Sequence, residues 1–167
     1  MSRKTTPTYV LLNQITLAAT SSSVTFSNIP QNYGDLILVS HLPSVASLGG
    51  YFGVRYNGDS GNNYNEVFMF GTGSGSGTSV ARSSIDGHFP LWDYTKNNAF
   101  ITLQIMDYSA SDKHKTTLAR AQSPESAQVT AAALRWANTS PITSMAITLS
   151  PRTFESGCTF SLYGLVA

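Results

Sequence analysis

The sequence predicts an all-β fold, a two-sheet antiparallel sandwich of the jelly-roll kind, and three observations predict it. Apolar residues recur at every second position in one run after another. Clusters of Gly, Asn, Ser and Pro separate the runs. No window carries the helical spacing of apolar positions along one stripe.

Taken in order, the alternation predicts about ten strands: Tyr9 to Leu17, Ser23 to Phe26, Asp35 to Leu42, Tyr51 to Tyr56, Glu66 to Phe70, Phe100 to Tyr108, Thr116 to Ala121, Gln128 to Trp136, Thr143 to Ser150 and Cys158 to Leu165. Successive side chains of a strand point to opposite faces, so parity identifies the core side. Ile101, Leu103 and Ile105 share one face against Thr102 and Gln104; Met145, Ile147 and Leu149 repeat the pattern. Cys158, Phe160 and Leu162 repeat it again, which makes the single cysteine a small buried apolar residue. Leu36, Ile37, Leu38 and Val39 are apolar on both parities, so that strand is covered from both sides or lies at an interface.

The turns agree. Asn57 and Gly58 follow a strand directly and both accept positive φ, the strongest short hairpin signal. Pro30, Pro43, Pro90, Pro124, Pro141 and Pro151 sit at or just past run ends, where a missing amide donor does least harm. Gly71 to Gly77 reads as a flexible linker. Such strands suit an immunoglobulin-like sandwich, a barrel or a jelly roll. One cysteine excludes the Cys-Trp-Cys pattern of an immunoglobulin domain proper, and strand number and length favour the jelly roll.

At 167 residues the chain fits one domain, with residues 1–8 as a polar, flexible arm and 9–167 as the sandwich. Charged residues make up 11% of the chain, about half the usual share. Short hydroxyl side chains cover the wet faces instead, and these lose little entropy when a second surface packs on them. A net charge of +1 offers no footprint for nucleic acid or an anionic membrane. No apolar segment follows Arg3 and Lys4 as in a signal peptide, and none approaches the ~20 residues of a membrane span. Without a secretory signal, the acceptor pattern Asn138-Thr139-Ser140 is not read as glycosylated.

The residues suggest no catalyst and no cofactor. His41, His88 and His114 have no nucleophile and orienting acid at a recognisable spacing. The glycine run lacks both the nucleophile elbow and the Gly-Lys-Ser/Thr end of a phosphate loop. Asp93, Asp107 and Asp112 form no carboxylate pair. Asn57 to Glu66 carries oxygen ligands suited to calcium, but its glycine and glutamate fall at the wrong places for the helix-flanked loop, so a turn with Asx hydrogen bonds is expected. Aromatics say more: Tyr51, Tyr64, Trp92, Tyr94 and Tyr163 fall on outward parities or in loops, where they cap the sandwich or contact a subunit or glycan. Arg3, Lys4, Tyr51, Tyr64, Trp92 and Tyr94 are the candidate interface residues.

Four segments carry a family resemblance. Ile15 to Pro30, Tyr33 to Val39, Val54 to Tyr64 and the ending Phe154 to Leu165 together resemble small virion proteins and fibre-end domains of tailed bacteriophages. The resemblance implies a jelly-roll domain that decorates or cements a capsid, or sits in a tail or fibre, commonly as a homotrimer. It carries over no functional residue individually, and Phe89 to Asn98 has no counterpart. A chain opening on its own methionine, without a stalk, fits capsid decoration better than a distal fibre domain. The partners implied are the major capsid protein and copies of the chain itself, on a particle made in the host cytoplasm; the alternative is a fibre domain binding host surface glycans.

Overall fold

A computed structural model of the chain describes residues 8–43, 50–71, 73, 77–85, 98–123 and 128–166. Its eleven strands are β1 (Tyr9–Thr16), β2 (Ser23–Phe26), β3 (Asp35–Leu42), β4 (Tyr51–Tyr56), β5 (Tyr64–Gly71), β6 (Gly77–Ile85), β7 (Ala99–Met106), β8 (Lys115–Ser123), β9 (Gln128–Trp136), β10 (Met145–Ser150) and β11 (Thr159–Leu165). No helix occurs among the described residues. An eight-stranded sheet runs β1-β11-β3-β7-β8-β9-β5-β6, and a three-stranded sheet runs β2-β10-β4, all pairs antiparallel. Among the described residues the chain crosses between the sheets six times, at β1–β2, β2–β3, β3–β4, β4–β5, β9–β10 and β10–β11, as a jelly-roll-like winding requires.

The expected parities set the core. Met145, Ile147 and Leu149 of β10 join Val24, Phe26, Phe52 and Val54 on the small sheet, all buried. They face Leu36, Leu38, Ile101, Leu103, Ile105, Phe160 and Leu162 of the large sheet, also buried. Cys158 is buried among them and forms no disulfide. Tyr56 of β4 reaches across and shares a hydrogen bond with Thr117 of β8 at 2.7 Å, so one buried polar pair joins the two sheets. Burial pushes the Tyr56 phenol far above its ordinary pKa.

Several expectations need correction. Strand β6 follows the glycine run, so Gly71 and Gly77 are the paired ends of a β5–β6 hairpin rather than parts of one linker. Asn57 and Gly58 do take positive φ, 51° and 68°, but the strands they join belong to different sheets, so the turn is no hairpin. The Asn57 amide donates to Pro141 O at 2.8 Å and accepts from Thr143 N and Ser144 N, which anchors the crossing to the segment ahead of β10. Tyr64 is not on the surface: it opens β5 and is wholly buried. A bulge at Leu12, between the Leu11 and Asn13 pairings, lets Leu12 and Ile15 both pack on the core although their spacing would put them on opposite faces.

Candidate interaction surface

The outer face of the eight-stranded sheet, turned away from the core, is unusually apolar. One row of paired residues crosses all eight strands. On the β1 side it holds Leu11, Tyr163, Ile37 and Gln104. On the β6 side it holds Leu118, Ala133, Val67 and Ala81. Only Gln104 is polar. The flanking row adds Val39, Ala131 and Met69 among Gln14, Ser161, Thr102, Arg120 and Ser79, and the next contributes Val129 and Phe100. Val67 is 52% exposed, Met69 60%, Leu118 46% and Val129 64%, in a chain whose other large apolar groups are mostly interior. A contiguous apolar patch of this kind marks a surface that works covered.

The β1 half carries Tyr9, Leu11, Tyr163, Ile37 and Val39, and the β6 half intersperses Ala, Gly and Ser with Val67, Met69, Leu118 and Val129. Two hollows indent the face, of about 880 Å³ and 300 Å³. Met69, Phe100, Arg120 and Val129 line the larger, and Asn65, Val67, Ala133 and Arg135 the smaller. Neither draws a residue from β1, β3 or β11. The exposed Phe100 ring lies flat on His41, centroids 4.3 Å apart, so His41 is a stacking partner at the end of β3.

Charge on the face is sparse and divided. Arg120 and Arg135 are exposed on the β6 half. Asp35 lies on the β1 half, one residue beyond the Leu36–Ile105 pair, where its carboxylate accepts from Gln104 Nε2 at 3.1 Å and Asp107 N at 3.0 Å.

Two further acids lie outside this face. Asp59 stands in the β4–β5 crossing and accepts from Gly61 N at 2.8 Å, Asn63 Nδ2 at 2.8 Å and Trp136 Nε1 at 2.7 Å, which is the expected Asx turn. Desolvation opposes its ionisation, but these donors and Asn138 outweigh it and hold the carboxyl below its ordinary pKa. Glu66 points inward from β5 with its side chain fully buried, 3.3 Å from Arg82 of β6. Burial pushes its pKa up to about 7 against the opposing pull of Arg82.

Of the six predicted interface residues, two are described, Tyr51 and Tyr64. Tyr51 opens β4, 38% exposed, on the small sheet. Tyr64 is interior, its hydroxyl donating to Asp59 O at 3.1 Å. Tyr163 is half-buried in the apolar row. Arg3, Lys4, Trp92 and Tyr94 lie outside the described residues, as do His88 and Asp93. His114 is exposed ahead of β8. What sequence reasoning missed is Val67, Met69, Leu118 and Val129. A signal existed for the first two, since Val67-Phe68-Met69-Phe70 is apolar on both parities, as Leu36 to Val39 is.

No family model matches the chain, and no curated protein matches its sequence. Among solved structures it is similar to the galectin LEC-6 of Caenorhabditis elegans, at 12% identity and a TM-score of 0.39, over 93% of this chain and 96% of the galectin. It is also similar to a protein of unknown function from Shewanella oneidensis MR-1, at 10% identity and a TM-score of 0.27, over 93% of this chain and 75% of that one. Neither likeness bears on function.

Proposed function

We propose that the chain is a structural protein of a tailed-phage particle, a decoration or cement protein that stabilises the head by bridging coat subunits, with no catalytic role. The observation that supports this most is the outer face of the eight-stranded sheet, whose Val67, Met69, Phe100, Leu118 and Val129 are open to solvent. Such a face gains free energy when another protein surface covers it, at roughly 25 cal/mol per Å² of apolar area. The low charge of the chain means that few ionised groups are stranded by that burial. In this reading Arg3 and Lys4 contact the coat protein or a neighbouring copy. Many weak joints of this kind resist rupture together, because losing one leaves the others tethered.

Electron microscopy of intact particles tests the proposal. A cement protein is present in hundreds of copies on the head, and a position confined to the tail, or absence from the particle, overturns this reading. Deleting residues 2–8 is expected to lower occupancy on heads.

A second reading, a fibre domain that binds host glycans, has one observation in its favour. The larger hollow sets the Phe100 ring beside Arg120 and Gln122, a flat apolar surface flanked by donors of the kind sugars use. Glycan-array binding by the isolated protein, lost in Phe100→Ala and Arg120→Ala, would favour it.

A further inference from the structure

We infer that the occupant of the apolar outer face is a second copy of the same chain, packed sheet to sheet about a two-fold axis that runs along the strands between β7 and β8. The inference rests on the assembly role proposed above and names its nearest partner.

Two identical sheets stacked face to face in a closed pair must be related by an axis lying in the plane between them. With eight strands, an axis between the fourth and fifth places β3 of one copy over β9 of the other, β11 over β5 and β1 over β6. Each row then faces itself in reverse. In the apolar row Leu11 meets Ala81, Tyr163 meets Val67, Ile37 meets Ala133, and Gln104 meets Leu118 beside the axis. Leu11 and Ile37 thus fall on the small Ala81 and Ala133, which line the smaller hollow. Facing sheets about 10 Å apart interdigitate in this way.

The charges obey the same relation. Arg135 of β9 and Asp35 of β3 stand at the same end of the face, on strands that the axis exchanges. Each Arg135 therefore meets the partner copy's carboxylate, twice per pair. Offsetting the axis by one strand would separate them. A heterologous contact, as in a trimer, would not bring both halves of this face into register with themselves.

Sedimentation of the purified full-length protein over a wide concentration range tests the inference without any particle. The expected species has twice the 17.9 kDa chain mass. Leu118→Lys places a charge beside the axis at an exposed position, and it is expected to give monomer with an unchanged circular-dichroism spectrum. Asp35→Lys and Arg135→Asp should each weaken pairing roughly tenfold or more, since like charges then oppose one another at both contacts. An equimolar mixture of those two variants should pair again, because both contacts of the mixed species join opposite charges. A monomer at every concentration, a trimer, or a mixture that pairs no better than its components overturns the inference. Failure of the protein to bind heads would overturn only the decoration role.

Discussion

The indole N–H of Trp136, at the end of β9, donates to the carboxylate of Asp59 in the β4–β5 crossing at 2.7 Å. That bond fastens a connection between two sheets to the strand it passes. Tyr64 stacks on the same indole, and its hydroxyl donates to the Asp59 carbonyl. Removing the acceptor leaves a buried donor unpaired, so Asp59→Ala should lower stability by about 1–3 kcal/mol in urea unfolding at neutral pH. Asp59→Asn should lose less, because one oxygen remains. Since the folded-state pKa is depressed, the carboxylate stabilises the fold above the ordinary aspartate value of about 3.9, and that contribution is lost as pH falls below it. The Asn variant should show a flatter acid limb.

Glu66 has the opposite sign. Its pKa is raised to about 7, so the folded protein holds the proton more tightly than the unfolded chain does. Stability from this group is full below about 4.5 and declines as pH rises to about 7. Arg82 keeps part of its side chain in water and its guanidinium over the Phe68 ring, so it tolerates a neutral neighbour. Glu66→Gln should therefore be more stable than the wild type at pH 8, by about 1–3 kcal/mol, with the difference gone near pH 4. Equal unfolding midpoints at both pH values would contradict this.

Gly164 of β11 leaves room for the ring of Tyr33: a Cβ there would lie 2.5 Å from Tyr33 Cγ. Gly164→Ala should cost about 1–3 kcal/mol by thermal melting, because overpacking forces the ring or the strand to move. Combining it with Tyr33→Ser should recover part of the loss.

Cys158 has no exposed surface. In the folded protein its thiol should resist a dithiobenzoate reagent, and labelling should follow the rate of opening or unfolding. Fast labelling under native conditions would mean that the edge beside β11 opens readily.

Four strands, β2, β3, β4 and β9, have the limits that alternation predicted, because each carries strong apolar parity between clear turn residues. Strand β6 was not legible, since its described inward positions are Thr78, Val80 and Arg82, and the arginine is accounted for only by Glu66 on the adjacent strand. Tyr64 was misread because Asn62, Asn63 and Asn65 around it look like loop, whereas the Trp136 ring and the Asp59 turn draw it inside. The outer face was illegible for another reason. Leu118 alternates with Ala119 and Arg120 in an unremarkable run, and its significance depends on Ala133 and Gln104 beside it, which only the register supplies.

β11 lies between β1 and β3, and the Val166 amide donates back to Thr8 O at 3.0 Å. During synthesis β1 therefore has no neighbour in its sheet until β11 is made. Completion of this edge must wait for β11, so folding is governed by contacts between distant parts of the sequence and should be slow for its size. A truncation that removes β11 would cost two strands at once. Joining the two ends and reopening the chain at another turn would let β1 and β11 form as neighbours from the start.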